Sequence, residues 1–111
     1  MLSLKEGYPY GSESTRMVQG IMFWMPSRRR FIPYSWLICS EINENETDIH
    51  FHYTHALVTV TGTNLGYIHD MVVRYELYAL REMTPLASAS ATDPTVRRIE
   101  ITEKASDQFT A

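Results

Sequence analysis

The chain has 111 residues, a formal net charge of -3 at pH 7, and hydrophobic residues at 44% of its positions. This length suits one domain and excludes two, and the composition excludes wholesale disorder. A net negative charge argues against a surface built throughout to grip phosphate backbones, although a local basic patch stays open.

The first part of the chain is polar and then turns strongly apolar. Residues 1–16 are rich in turn formers and lack periodicity, which predicts a flexible N-terminal arm. A single α+β domain then spans residues 17–103. Its first strand, residues 17–25, has bulky apolar residues at consecutive positions, so we expect both of its faces to be covered.

An arginine cluster follows this strand. Proline cannot donate to a strand ladder and three like charges favour water, so residues 26–30 predict a polar turn that displays Arg28, Arg29 and Arg30. Residues 31–42 predict a second long strand, or a short turn followed by a strand because Pro33 disfavours a central position, again with more apolar side chains than one face requires. The polar connection that follows predicts a hairpin tip.

Two short runs then alternate cleanly between apolar and polar residues. Residues 49–54 and 56–61 predict two adjacent antiparallel strands with one apolar face and one polar face. At Gly62 the apolar period changes from two to between three and four, which predicts a helix over about residues 64–75. Its buried stripe is Leu65, Ile68, Met71, Val72 and Tyr75.

The last third is less regular. Residues 77–82 fit either a strand or a continued helix, and we favour the strand because Leu77 and Leu80 fall off the helical stripe. A flexible loop is predicted over 84–95, a late strand over 96–103 and a frayed tail over 104–111. The fold predicted is α+β: a small antiparallel sheet, or a partly closed small barrel, of about five or six strands with one helix packed on it.

Cys39 is the single cysteine, so no intramolecular disulfide forms and a reducing, cytoplasmic location is the default expectation. No apolar run approaches the roughly 20 residues of a membrane helix, and no signal pattern opens the chain. In its apolar strand, the thiol of Cys39 is expected to be buried and inert. The sequence offers no evident cofactor or small-molecule substrate, and we expect no enzymatic activity.

The leading functional hypothesis is an interaction or scaffold domain that forms a homo-oligomer through its aromatic strands. One helix cannot shelter all the apolar side chains of residues 21–25 and 31–42, so a second copy is expected to cover the remainder. We expect Phe23, Trp24 and Trp36 to contribute most to this contact.

Two alternatives stay open. Guanidinium groups near aromatic rings suit RNA or single-stranded DNA, which makes Arg28, Arg29, Arg30 and Tyr34 candidates for a nucleic-acid surface on a small barrel resembling the Sm or OB class in shape.

The other alternative is a metal-binding hairpin. His50 and His52 share one strand face and His55 lies across the turn, so three imidazoles could converge as metal ligands do.

Overall fold

The computed structural model describes residues 4, 8–84 and 91–104. Within them the chain forms two four-stranded sheets, mostly antiparallel, and one α-helix, which confirms the α+β class. In chain order the elements are β1 (Tyr10–Ser12), β2 (Gly20–Met25), β3 (Arg28–Pro33), a 3₁₀ turn (Tyr34–Trp36), β4 (Leu37–Ile42), β5 (Asp48–Tyr53), β6 (Ala56–Thr63), α1 (Gly66–Val73), β7 (Leu77–Arg81) and β8 (Thr95–Glu103).

The sequence predicted one sheet or a small barrel, but the strands form two separate sheets. The first sheet has the order β1-β7-β2-β3 and the second the order β4-β5-β6-β8, and the described strands close no barrel. Residues 31–42, predicted as one long strand or as a short turn followed by a strand, form two strands that divide at Pro33, where a 3₁₀ turn leads from β3 to β4 in the other sheet. The predicted count of five or six strands was therefore too low.

The core lies between the inner faces of the two sheets. Phe23 of β2 packs edge-on against Phe51 and Tyr53 of β5, with ring centroids 5.6 and 6.4 Å apart. All three side chains are fully buried. Burial of each large apolar side chain stabilises the fold by roughly 1.5–3 kcal/mol. The second sheet thus covers Phe23, which we expected a second copy to cover.

Strands β5 and β6 follow the predicted alternation. Ile49, Phe51 and Tyr53 are buried while the residues between them are half-buried. β6 buries Ala56, Val58 and Val60 in the same way, but it continues beyond Thr61 to Thr63. Its extension pairs Gly62 with Val96 of β8, so Gly62 lies inside a strand rather than at its exit.

The helix is shorter than predicted at both ends. Asn64 and Tyr75 have positive φ angles of 54° and 58°, a left-handed conformation that an α-helix cannot contain. The helix therefore spans Gly66–Val73 rather than residues 64–75. Most of the predicted stripe is confirmed, since Leu65, Ile68, Met71 and Val72 are buried, but Tyr75 is 43% exposed.

Three further predictions concern the N-terminal arm, residues 77–82, and the loop and tail near the C-terminus. Part of the predicted arm belongs to the first sheet, because Tyr10–Ser12 pairs with β7. Residues 77–81 form the favoured strand, β7. Of the predicted loop and tail, residues 85–90 and 105–111 lie outside the described residues.

The described helix is too short and insufficiently apolar to cross a bilayer.

Candidate interaction surfaces

The three residues predicted for self-association occupy different environments. Phe23 is fully buried in the core, so its assignment to a contact between copies was wrong. Trp24, the next residue, is half-buried and points away from the core because adjacent strand residues face opposite sides of a sheet. Trp36 lies in the 3₁₀ turn and remains 48% exposed.

Trp36 leads directly into an open strand edge. β4 is the terminal strand of the second sheet, and its first residues include Ile38, which is 64% exposed. A bulge between Leu37 and Cys39 lies at this position. We call Trp36 and residues 38–42 the β4 edge.

Cys39 is exposed, contrary to the prediction of a buried thiol. It pairs opposite His52, whose half-buried side chain alternates with the buried Phe51 and Tyr53. Because directly paired residues share a face, Cys39 lies on the outer, polar face of the second sheet.

A second surface lies on the outer face of the first sheet. Trp24 pairs with Arg29 of β3 on one side and with Arg81 of β7 on the other. Met22 pairs with Phe31 two positions away on the same face. We call Met22, Trp24, Arg29, Phe31 and Arg81 the aromatic–arginine face.

The ring of Trp24 is the centre of this face. The guanidinium carbon of Arg29 lies 4.0 Å from the ring centroid and that of Arg81 lies 5.6 Å from it. Both distances fall within the range of cation–π attraction, in which the negative face of the indole stabilises a positive charge. Arg81 also donates a hydrogen bond to the backbone oxygen of Tyr8 at 2.8 Å.

The other residues predicted for nucleic-acid binding lie elsewhere. The arginines are in strand β3 rather than in a turn, because Pro26 and Ser27 alone form the hairpin turn. Arg30 pairs opposite the inward-facing Phe23 and forms an ion pair with Glu103 of β8.

Arg28 is exposed at the hairpin end and belongs to the same alternating set as Arg30, not to that of Trp24. Tyr34 is buried and donates a hydrogen bond to the backbone oxygen of Leu77. Arg29 is therefore the one residue of the predicted set that lies on the aromatic–arginine face.

The three predicted metal-binding histidines do not form a metal site. The rings of His50 and His52 lie 6.4 Å apart on the outer face of β5, and Nε2 of His52 is 2.7 Å from a carboxylate oxygen of Glu41. His55 instead packs edge-on against Trp36, with centroids 4.8 Å apart. Among the described residues, no three His, Cys, Asp or Glu side chains are grouped to hold a metal ion.

His55 has an environment that disfavours its charged form. Partial burial, followed by the positive charges of Arg30 and Lys104, lowers the pKa of its imidazole below 6.5. Its Nδ1 atom is buried and lacks a hydrogen-bond partner within the described residues. The imidazole of His55 beside Trp36 is therefore mostly neutral at pH 7.

An acidic cleft of about 370 Å³ separates the β4–β5 hairpin tip from the start of α1. The tip is held by Asn43, whose side-chain oxygen accepts hydrogen bonds from the backbone amides of Thr47 and Asp48 at 2.8 and 3.0 Å. The carboxylates that line the cleft are those of Glu44, Glu46 and Asp70. Within the part of the chain that the structure describes, these carboxylates form no group that could hold a metal ion, and the cleft is open to solvent.

Sequence reasoning missed Arg81 and Ile38. Arg81 reaches Trp24 through the parallel pairing of β7 with β2, a long-range contact that no local pattern encodes. In the sequence, Ile38 is indistinguishable from the other apolar residues of a long strand. Its exposure follows from the division of the chain at Pro33, which places Ile38 at a sheet edge.

The fold and surfaces define a class: a small α+β domain of two packed four-stranded sheets and one helix, with an open apolar strand edge and an arginine-rich outer face. No family model, curated protein or solved structure matches this chain.

Proposed function

We propose that this chain is a non-enzymatic interaction domain that self-associates through the β4 edge. The observation that carries the proposal is the exposure of Trp36, immediately before the terminal strand β4, and of Ile38 within it, at 48% and 64%. A terminal strand has unpaired backbone groups along one side, and exposed apolar residues there favour pairing with another strand.

The other strand edges are less suited to this contact. β3 carries Arg28, Arg29 and Pro33, and charge and proline both oppose edge pairing. β8 has four charged residues exposed, and β1 is three residues long. β4 has one charged residue, Glu41, among its six.

A second copy fits this edge better than an unrelated strand because β4 can pair with itself. Antiparallel pairing around a two-fold axis is self-complementary and closes after two subunits. With the axis at Ser40, Glu41 of each copy lies opposite Cys39 of the other, and Ile38, which lies in the bulge, adds its exposed side chain beyond this pair. An axis at Glu41 instead places two carboxylates directly opposite each other, which is destabilising.

The test is the oligomeric state of the purified chain and of two matched variants. Wild type is expected to form dimers by light scattering at micromolar concentration, and Ile38→Glu is expected to be monomeric. Val73→Glu is the control, because Val73 of α1 is 65% exposed and receives the same change away from the β4 edge. A monomeric wild type, or equal dissociation by both variants, contradicts the proposal.

A further inference from the structure

We infer that the aromatic–arginine face binds single-stranded nucleic acid. This site lies on the first sheet, whereas the β4 edge belongs to the second, so the inference stands apart from self-association. It also differs from the arginine turn predicted from the sequence, because it uses Arg29 with Trp24, Phe31 and Arg81.

Two positive charges lie close to each other on this face. The distances of 4.0 and 5.6 Å to one indole centroid place the guanidinium carbons of Arg29 and Arg81 within about 10 Å of each other. Arg29 has no carboxylate partner among the described residues. Two neighbouring phosphate groups of one strand, one beside each guanidinium, offset their mutual repulsion and accept hydrogen bonds from them.

An exposed aromatic ring lies beside these charges. Phe31 is 47% exposed and follows Arg29 by two residues, so both share one face of β3 at a separation of about 7 Å. A base stacked on Phe31 therefore has its phosphate within reach of Arg29. Bases expose a flat surface for stacking once they are unpaired, which selects single strands over duplexes.

The charge of this face differs from that of the whole chain. The aromatic–arginine face carries the guanidinium groups of Arg29 and Arg81, whereas the whole chain carries a net charge of -3. An acidic peptide could neutralise the arginines, but its carboxylates cannot stack on Phe31. The combination of rings and guanidinium groups favours a nucleic acid over a merely acidic partner.

The experiment measures anisotropy of a fluorescein-labelled thymidine oligonucleotide of about 12 nucleotides, which lies within usual site sizes. Wild type is expected to bind at low salt, with log K falling against log salt at a slope of about -1.4 for two phosphate contacts. Phe31→Ala is expected to weaken binding by about 5- to 100-fold through lost stacking. Arg29→Ala is expected to weaken binding and to reduce the steepness of the salt slope.

The matched control is Arg98→Ala. Arg98 is exposed on β8 of the second sheet and pairs with Glu100, so its loss changes net charge equally without touching the aromatic–arginine face. It is expected to bind like wild type. The inference is overturned if wild type does not bind at low salt, or if Arg98→Ala weakens binding as much as Arg29→Ala. Equally effective competition by polyglutamate, or by the duplex form of the oligonucleotide, also overturns it.

Discussion

The hydroxyl of Tyr34 donates a hydrogen bond to the backbone carbonyl oxygen of Leu77, 2.6 Å away in the buried interior. Tyr53 is buried in the same core, but its hydroxyl has no hydrogen-bond partner among the described residues. The two phenols therefore contribute to stability with opposite sign, since a satisfied buried hydroxyl stabilises the fold and an unsatisfied one costs free energy.

This contrast predicts different outcomes for the same substitution. Tyr34→Phe leaves the Leu77 carbonyl unsatisfied and is expected to lower the free energy of unfolding by about 1–2 kcal/mol. Tyr53→Phe removes an unsatisfied hydroxyl without changing the ring, so it is expected to be neutral or to stabilise by up to about 1 kcal/mol. Urea unfolding measures both values. A loss of stability in Tyr53→Phe equal to that in Tyr34→Phe contradicts this account.

The same residues predict a loss of stability at alkaline pH. Burial raises the pKa of both Tyr34 and Tyr53 well above the usual value of 10.0. Between the unfolded and folded pKa values, the unfolded chain loses the phenolic proton and the folded chain keeps it. Stability is therefore full below pH 10 and falls above it by about 1.4 kcal/mol per pH unit for each buried phenol.

Unfolding followed at several pH values measures this slope. Tyr53→Phe is expected to make the decline shallower than in wild type. Tyr8→Phe is the control, because Tyr8 is 44% exposed. An identical alkaline decline in wild type and Tyr53→Phe would show that burial of this phenol does not govern it.

The sequence predicts those elements of the fold that are determined by contacts between residues close together in the chain. β5 and β6 were predicted with the correct inner faces, because Phe51 and Val58 belong to runs that alternate and are joined by a short turn. β7 was also predicted, since Leu77 and Leu80 do not fit the helical stripe. The division of residues 31–42 between two sheets was missed, because apolar residues on both faces fit one buried strand equally well.

The candidate sites were harder to predict for the same reason. Arg29 was identified with its aromatic neighbours, but Arg81 joins them through the long-range pairing of β7 with β2. His55 lies close to His52 in sequence, yet its ring turns to Trp36, whose carbonyl oxygen accepts a hydrogen bond from the backbone amide of Thr54 at 2.9 Å. Contacts of this kind depend on tertiary structure and leave no local period.

Gly62 was predicted to mark the change from strand to helix, but it lies inside β6, where β8 pairs with it. A Cβ atom at this position would meet the backbone oxygen of Thr95 at 1.8 Å, because β8 approaches β6 closely where the pairing register shifts. Gly62→Ala is therefore expected to lower the free energy of unfolding by about 1–3 kcal/mol through overpacking. Thermal unfolding measures the loss. A variant as stable as wild type would show that β8 can move away at little cost.

The environment of His55 predicts a loss of stability at acidic pH. The pKa of its imidazole is lowered in the folded chain, first by burial and then by Arg30 and Lys104. Its contribution to stability is therefore present above pH 6.5 and is lost as the pH falls through the folded pKa. In Arg30→Gln, NMR titration of the His55 ring is expected to show a higher pKa that stays below 6.5, because burial remains.

Arg97→Gln is the control for this titration, since Arg97 is exposed and is not among the groups that lower the pKa of His55. An equal rise in both variants would assign the effect to net charge rather than to the proximity of Arg30.

The pairing register proposed for β4 predicts a specific disulfide. With the two-fold axis at Ser40, the two Ser40 Cα atoms lie about 4.5–5.5 Å apart, within the range that a disulfide spans. The two Cys39 residues lie diagonally at about 7–8 Å, which is too far. Under mild oxidation, the double variant Cys39→Ser/Ser40→Cys is therefore expected to form a covalent dimer on a non-reducing gel, whereas wild type remains uncrosslinked.

Adding Ile38→Glu to the double variant is expected to abolish the crosslink by opposing self-association. Efficient crosslinking of wild type through Cys39 would instead place the axis at that residue, because direct opposition is what brings two thiols within bonding distance. That result would keep the β4 edge as the contact but exclude the register with the two-fold axis at Ser40.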